Sequence, residues 1–573
     1  MDFMEWTKEL SNVKGDRIAN GVFRILENSG EMRPSFSYTW IESSVPTDAI
    51  KVDEYEINEN TVKLFHLPNS TEDLYQINPP EYEMNKREAE LIYHVKQSLS
   101  EQYPKDMNIS DPEQVRDYVL SYGRNLIDKT AEKLGLTLGN TREERVERIE
   151  ELSYILAKYT AGYGILEIFL SDSNVEDIYV DAPSEYNNLY LEIKGIKKIR
   201  DKCRTNVLFS KRDMDSILSR FRSESGKPFS EAFPVLEADL KEYDTRVTVI
   251  GKPLSPDGTA FALRRRDTEP WTLPRLIKVG SLTPTAAGVL SFFIDGKSTI
   301  LIAGSRGAGK TTLLGALMLE FPKSQRILSI EDTRELPTKE MQELDYNIQS
   351  MIVGSSLEKR GLTANDALKV SLRLGESALI QGEVRGEEAR TLYEAMRAGT
   401  AGSSVMGTIH GNSPQAVYDR VVHDIGISKE SFSATDIIVI AGMVRPGGIQ
   451  NRKRMITHIS EYDHGDFLDL FNYDGGLNPT DHLKRKSEKI GDIARSWGLT
   501  YEEAIKNIEI RAYIKKTMVE FSREKGDSLL SPIWVAETNN KFWNLIEKYH
   551  DKGSYEDIKR EWTEWYKKRI KYE

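Results

Sequence analysis

The residues with the clearest chemistry form a glycine-rich segment in the middle of the chain. It contains the pattern Gly-x-x-x-x-Gly-Lys-Thr from Gly304 to Thr311, after the apolar run 299–302 and before the helix-favouring run 313–320. A phosphate-binding loop requires this strand–loop–helix context, because glycine-freed backbone N–H groups and the positive end of the helix both face an anion. We therefore predict that Lys310 contacts the β- and γ-phosphates of a nucleotide and that Thr311 contacts Mg²⁺. The residues predicted to bind the phosphates are Gly304, Ser305, Arg306, Gly307, Ala308, Gly309, Lys310, Thr311 and Thr312.

Two acidic residues follow short apolar segments further along the chain. Glu331 comes directly after 326–330, and Glu383 closely follows 377–380. Strands that alternate with helices predict a parallel, doubly wound sheet, and ligands bind beyond the carboxyl ends of such strands. At that edge, Glu383 would hold the metal shell, directly or through water, or orient a water molecule, with Glu331 as the alternative base. Helix-capping and surface carboxylates are also common at strand ends, and that interpretation stays open.

A histidine and a group of arginines complete the candidate site. His410 ends a strand that follows a glycine-rich turn within 399–412, so it should lie at the same edge of the sheet. Arg246 and the triplet Arg264–Arg266 belong to an earlier segment. A planar guanidinium can neutralise charge on a transferring γ-phosphoryl group, so these arginines could face a neighbouring subunit's ATP. Solvated strand charges, and a structural role for a lone histidine, are the alternatives.

The order of these boxes resembles the type II/IV secretion ATPase superfamily. The boxes are the phosphate loop, Ile-Glu-Asp (330–332), Gly-Glu-Val-Arg (382–385) and Thr-x-His (408–410). The resemblance covers about residues 110–460 and looks closest to the archaeal branch. It rests there on Gly-Glu-Val-Arg-Gly-Glu-Glu-Ala (382–389), Val-Met-Gly-Thr-Ile-His-Gly-Asn (405–412) and Asp-Arg-Val-Val (419–422). Members of this superfamily are hexameric cytoplasmic motors of secretion systems, type IV pili and archaeal surface filaments.

The resemblance implies a role for each candidate residue. Glu331 would lie in the acidic box that polarises water, and Glu383 would be the second-motif glutamate. His410 would couple the nucleotide to subunit motion. The residues that fall where the inter-subunit arginines of the superfamily come from are Arg246, Arg264 and Arg265. We predict these six residues to be catalytic.

Composition limits the class of protein, and two features depart from the superfamily. The net charge of −12 argues against a generic nucleic-acid binder. The single cysteine, Cys203, excludes a disulfide framework and the four-cysteine zinc module of bacterial assembly ATPases. Gly402 is followed by Ser403 instead of histidine, which leaves one histidine in that box. Without an 18-residue apolar run or a signal-peptide pattern, we expect a cytoplasmic protein.

We predict that the elements that position these residues belong to a multidomain α/β protein. We expect an α+β N-terminal module at 1–105 that contacts a partner, and an α+β domain at 106–272. A RecA-like, doubly wound phosphate-loop core should follow at 273–460, and a mainly helical extension at 461–573. The last helix, from Ser554, is basic and amphipathic. It could lie on a membrane surface, but packing against the preceding helices is the favoured interpretation.

The expected function is an ATP-hydrolysing homohexameric motor that uses ATP and Mg²⁺. It would power assembly of a type IV pilus-like filament or type II-like secretion, as a peripheral protein at the inner face of the cell membrane. The expected partner is a polytopic membrane platform protein, and we expect no binding of nucleic acid. A translocase or helicase with a RecA-like core is one alternative, against which the acidic charge and absent basic aromatic stripe count. A nucleotide-binding scaffold that does not hydrolyse is the other.

Overall fold

The computed structural model describes residues 33–101, 111–196, 198–266, 270–353, 362–398, 404–448, 452–549 and 554–571. Two parts of the predicted organisation lie outside them, residues 1–32 of the N-terminal module and residues 399–403 of the glycine-rich turn. The chain forms two compact units, Met1–Thr268 and Glu269–Glu573.

The first unit is built on a nine-stranded sheet. The strands of this unit are β1 (Trp40–Ile41), β2 (Ile50–Ile57), β3 (Asn60–His66), β4 (Asp73–Asn78), β5 (Val175–Val180), β6 (Tyr190–Ile193), β7 (Lys202–Thr205), β8 (Val207–Leu208), β9 (Val235–Leu240), β10 (Thr245–Ile250) and β11 (Ala260–Arg265). The sheet order is β2-β3-β4-β7-β6-β5-β11-β10-β9, and β1 pairs separately with β8. Strands β4 and β7 pair in parallel. Because that pair joins β2–β4 to β5–β11, the segments expected as two separate domains share one sheet.

The helices of the first unit share a hydrophobic core with its sheet. They are α1 (Lys86–Glu101), α2 (Pro112–Lys133), α3 (Arg142–Thr160), α4 (Leu166–Ser171) and α5 (Lys211–Ser225). Leu91 of α1, Leu156 of α3 and Val247 of β10 are all fully buried in this core. Helix α3 begins with a capping box, in which Thr141 and Glu144 exchange side-chain and backbone hydrogen bonds. These contacts fix the strands that carry the predicted arginines.

The second unit is built on a mixed sheet, also of nine strands. They are β12 (Ile300–Gly304), β13 (Ile327–Glu331), β14 (Ile348–Ile352), β15 (Ala378–Gln381), β16 (Val405–Ile409), β17 (Ile437–Val444), β18 (Lys453–Asp463), β19 (Asp466–Tyr473) and β20 (Leu477–Pro479). The order is β14-β13-β15-β16-β12-β17-β18-β19-β20. The first six strands run in parallel, and β18–β20 continue the sheet in antiparallel pairs.

Both faces of this second sheet are covered. The helices of the unit are α6 (Leu273–Lys278), α7 (Pro284–Asp295), α8 (Lys310–Met318), α9 (Thr338–Glu343), α10 (Ala364–Ser371), α11 (Glu388–Ala398), α12 (Pro414–Asp419), α13 (Lys429–Phe432), α14 (Asp481–Arg485), α15 (Glu488–Ser496), α16 (Tyr501–Lys525), α17 (Pro532–Tyr549) and α18 (Tyr555–Ile570). Along β12, Ile300 and Ile302 enter one core, whereas Leu301 and Ala303 enter the other. Strand side chains alternate between the two faces of a sheet. The predicted doubly wound α/β fold is confirmed.

The strand order brings the predicted boxes side by side. Strands β13, β15, β16 and β12 are consecutive neighbours. Glu331 is the last residue of β13, Glu383 lies two residues beyond β15, and His410 directly follows β16. The phosphate loop follows β12. Because all four strands are parallel, the four boxes lie along one edge of the sheet, where such folds bind ligands.

The C-terminal helices belong to the core of the second unit. Helix α16 packs closely on α7, because a β-carbon at Gly288 would lie 2.6 Å from the carbonyl oxygen of Ile508. In α18, Trp562 and Tyr566 are fully buried, so the basic amphipathic helix packs internally, as its favoured interpretation expected. Within the described ranges, every helix is too short or too polar to cross a bilayer.

Candidate active site

The phosphate loop has a backbone conformation that depends on glycine. Gly307 and Gly309 have φ angles of +76° and +89°, in the left-handed region that L side chains adopt at a cost. A β-carbon at Gly304 would lie 2.3 Å from the carbonyl oxygen of Ala441 on the neighbouring strand β17. The loop can therefore turn tightly from β12 into α8, and its backbone N–H groups are positioned to face an anion.

Lys310 stands at the first position of the helix that follows the loop. Its Nζ donates a hydrogen bond to the carbonyl oxygen of Ser305, at 3.1 Å. Its charge also acts on the titration of Glu383 and His410, so these three side chains share one electrostatic environment. The structure thus brings together Lys310, the second-motif glutamate and the histidine. Thr311 and Thr312 follow Lys310 in the first turn of α8.

Glu383 is held by two basic neighbours. Its Oε1 lies 3.1 Å from Nε2 of His410, and its Oε2 accepts a hydrogen bond from Nη2 of Arg385 at 2.5 Å. Partial burial opposes ionisation, but Arg385, His410 and Lys310 together lower the pKa of the Glu383 carboxyl. Glu383 is therefore a carboxylate at neutral pH, oriented by its contacts with Arg385 and His410.

His410 is poised as a neutral imidazole. Burial, followed by the charges of Lys310 and Arg420, lowers its pKa, and the Glu383 carboxylate only partly offsets this effect. His410 also interacts with the backbone of Gly304, the first residue of the phosphate loop. One ring therefore contacts both the loop and the carboxylate, which is the arrangement that a coupling role requires.

Arg385 and Asp332 are site residues to which sequence reasoning assigned no role. Nη1 of Arg385 donates to Oδ2 of Asp332 at 2.9 Å, while Nη2 holds Glu383. The guanidinium therefore ties the end of β13 to the segment after β15. Both residues lie inside the boxes quoted from the sequence, and the two-residue spacing of Glu383 and Arg385 was the available signal.

Arg454 is a further residue that sequence reasoning missed. It lies on β18, and its Nε donates a hydrogen bond to the carbonyl oxygen of Gly307 at 3.0 Å. This contact supports the loop from the antiparallel part of the sheet. No local motif marks Arg454, because its place depends on pairing between β17 and β18.

Glu331 is nearly fully buried at the end of β13, with 2% of its surface exposed. Its Oε1 accepts hydrogen bonds from the backbone N–H groups of Glu335 and Leu336, each at 2.8 Å. Desolvation outweighs these bonds and raises the pKa of the Glu331 carboxyl to about 7. Its Oε2 is buried and has no hydrogen-bond partner among the described residues. A carboxyl with a pKa near neutrality and one oxygen without a hydrogen-bond partner is suited to accept a proton from water.

The donor set fits a magnesium ion. Mg²⁺ prefers oxygen ligands and keeps several waters. The Thr311 hydroxyl at the start of α8 and the Glu383 carboxylate are such ligands. Oxygen donors are therefore present for the ion that the phosphate-loop motif implies.

The predicted arginines lie in the first unit, and the structure separates them. Arg246 and Arg264 are directly opposite each other on β10 and β11. Arg246 pairs with Glu237 at 3.1 Å, whereas Arg264 is 44% exposed and lies 3.8 Å from Glu176 and 3.9 Å from Asp177. Arg265 is offset by one residue, and its guanidinium donates to the carbonyl oxygen of Asp172. Because neighbouring residues of a strand face opposite ways, Arg265 does not share the face of the other two.

The fold and this edge of the sheet define the class of the protein, a nucleotide-binding P-loop core of RecA-like type. A family model described as "Type II/IV secretion system protein" matches residues 163–475. The chain belongs to that family, as the resemblance predicted. Membership of this family supports the ATPase class that the boxes predict.

Individual relatives share parts of this chain. An uncharacterized protein of Methanocaldococcus jannaschii is 25% identical over 372 residues, which are 63% of this chain but only 46% of that relative. A second uncharacterized protein of the same organism is 34% identical over 246 residues, 41% of this chain and 87% of the relative. The type IV secretion system protein PtlH homolog of Bordetella bronchiseptica is 28% identical over 213 residues, 33% of this chain and 60% of the relative. The chain therefore spans about half of the first relative.

Proposed function

We propose that this protein hydrolyses ATP as a homohexameric motor of a pilus-type or secretion machine. The observation that carries the proposal is the edge of the second sheet. There, the carboxyl ends of four neighbouring parallel strands bear Glu331, Glu383, His410 and the phosphate loop. Membership of the secretion family supports this assignment. A scaffold that only binds nucleotide would not need a buried acid with a pKa near 7 at this edge of the sheet.

Each residue has a proposed task in hydrolysis. The loop N–H groups and Lys310 bind the phosphates. Glu331 takes a proton from the attacking water, and Glu383 orients that water or holds the metal shell. His410 contacts both Glu383 and Gly304, so a change in the position of the Glu383 carboxylate would be transmitted to the phosphate loop. When bound, Mg²⁺ would neutralise charge on the phosphate oxygens.

Arg246 and Arg264 are proposed to complete the site of a neighbouring subunit. Arg246 and Arg264 are directly opposite each other on one sheet face, so a single anion beside them could contact both guanidinium groups. Arg264 is the more available of the two, because its contacts with Glu176 and Asp177 are long, at 3.8 and 3.9 Å. Charge developing on a γ-phosphoryl group is an anion that such a pair can stabilise.

We propose that the motor acts on a polytopic platform protein at the inner face of the cell membrane. Affinity purification of the full chain from detergent-solubilised membranes of its own cells tests this partner. We expect one polytopic protein to co-purify with the wild-type chain, and unchanged ATP turnover when DNA or RNA is added. Stimulation by nucleic acid, without a membrane partner, would favour the translocase alternative.

A further inference from the structure

A charged cleft opens next to Glu383, on the far side of Arg385. It encloses about 400 Å³ and is lined by Arg385, Gly386, Glu387, Arg390, Arg420, Asp424 and Ile425. We call it the arginine cleft. Its walls are the segment that follows β15, the start of α11 and the turn after α12. None of the roles derived above accounts for Arg390 or Asp424.

Three guanidinium groups and two carboxylates line the cleft. Because Arg385 is already paired with Glu383 and Asp332, Arg390 and Arg420 are the guanidinium groups of the lining that remain to bind an anion. The Nε of Arg420 is buried and lacks a hydrogen-bond partner among the described residues. Arginine is the residue best matched to phosphate oxygens, because its planar fork donates two parallel hydrogen bonds.

The turn that carries Arg420 departs from regular helix geometry. Residues Arg420–Asp424 form a π-helical turn directly after α12, and the N–H of Ile425 donates to the carbonyl oxygen of Arg420 at 3.0 Å. Such single π turns are rare and occur frequently at functional sites. Here the turn places Arg420 and Asp424, its first and last residues, on the wall of the cleft.

The cleft is continuous with the hydrolytic residues. Arg385 lines the cleft and also holds Glu383 and Asp332. The charge of Arg420 acts on His410. A phosphate that leaves the neighbourhood of Glu383 and His410 would therefore meet positive charge on the other side of Arg385. The two carboxylates of the wall should keep binding weak, as release of a product requires.

We propose that the arginine cleft binds inorganic phosphate and receives the phosphate that ATP hydrolysis releases. The inference rests on the proposed function for the source of the phosphate, but binding itself does not require turnover. Arg390 and Arg420 would bind the anion, while Arg385 connects the cleft to Glu383. In this scheme, no bond is made or broken in the cleft.

Equilibrium dialysis of radiolabelled inorganic phosphate tests the proposal. The full chain is first saturated with Mg²⁺ and a non-hydrolysable ATP analogue, so that the phosphate loop is occupied, and ionic strength is held constant with chloride. We expect saturable binding of phosphate, and about tenfold or greater weakening in Arg390→Ala, because a charge-assisted hydrogen bond is lost. Arg397→Ala is the matched control, since Arg397 lies on the same helix and instead donates to Ser431.

Three results would overturn the proposal. They are no phosphate binding to the analogue-saturated chain, equal binding by Arg390→Ala and wild type, and binding of an acidic peptide without binding of phosphate. The last would make the cleft a protein-docking site. Failure of the ATP analogue to bind would instead contradict the proposed function, so the two failures are distinguishable.

Discussion

At the scale of residues, Glu383 is the centre of the charge arrangement. It contacts Arg385 and His410 at once, and Lys310 acts on it from the phosphate loop. These three neighbours lower the pKa of the Glu383 carboxyl, whereas burial raises the pKa of the Glu331 carboxyl to about 7. Two carboxyls with pKa values pushed in opposite directions can take different tasks, one holding charge and the other exchanging a proton.

Glu331 should impose a pH dependence on turnover. Its pKa is raised to about 7, so it is protonated below that pH and cannot accept a proton from water. We expect kcat/KM, which reports the free enzyme, to rise as the pH passes through about 7 and then to level off. In Glu331→Gln, turnover should be low and this rise should be absent. A wild-type pH profile in that variant would contradict the role of Glu331 as the base.

At the scale of elements, the phosphate loop needs glycine at position 307 for nucleotide binding. In Gly307→Ala, a side chain would occupy a left-handed backbone position, at a cost of about 1–2 kcal/mol, with its β-carbon 3.0 Å from Cε of Met443. We expect lower stability and weaker nucleotide binding, measured by thermal unfolding and by titration with ATP analogue. Gly280→Ala is the control, because Gly280 has nearly the same φ angle, +78°, in open space. Equal nucleotide affinities in the two variants would contradict the prediction.

Helix α16 is fixed to the core by a buried ion pair. Nζ of Lys515 lies 2.8 Å from Oε2 of Glu320, and both side chains are 1–2% exposed. At this distance the ammonium and the carboxylate form a charge-assisted contact, and Oε1 of Glu320 has no hydrogen-bond partner among the described residues. Burial lowers the pKa of Lys515, and Glu320 opposes that shift. Each charge is therefore stabilised in this buried position by the opposite charge beside it.

Breaking this pair should destabilise the second unit. Lys515→Met leaves a buried carboxylate without its partner, and we expect a loss of about 3–5 kcal/mol in the free energy of unfolding. Lys516→Met is the matched control, because that neighbouring lysine is 61% exposed and its pair with Glu520 is solvated. Calorimetric unfolding measures both variants, and similar midpoints for the two would show that the buried pair contributes little.

Local sequence pattern predicted where the two glutamates and the histidine lie at this edge better than it predicted their surroundings. Glu331, Glu383 and His410 could be placed because each follows a short apolar run, and parallel strands end at one edge. The contact of Arg454 with the phosphate loop could not be predicted, because it depends on a strand pairing far along the chain. For the same reason the β4–β7 pairing could not be predicted, although it joins strands β2–β4 to the sheet of the following segment. Local periodicity does not specify which distant strand is a neighbour.

At the scale of the whole molecule, the proposed role of the arginines predicts that each active site is formed by residues of two subunits. Arg264→Ala and Lys310→Ala chains should each hydrolyse ATP poorly. When they are mixed, some interfaces combine an intact Arg264 with an intact phosphate loop, so turnover should be partly restored. Arg265→Ala chains offer a comparison, because Arg265 is bound to the backbone of Asp172. No restoration at any ratio of Arg264→Ala to Lys310→Ala would show that Arg264 does not act across an interface.

The central claim is that the edge formed by β13, β15, β16 and β12 is a hydrolytic site. Phosphate release by the full chain at saturating Mg²⁺ and ATP tests it most directly, in wild type and in Glu383→Gln, with nucleotide affinity measured for both. We expect turnover by the wild type, a loss of about 10²–10⁴-fold in the variant, and similar nucleotide affinities. Wild-type turnover in Glu383→Gln, or no turnover in the wild type, would contradict the claim.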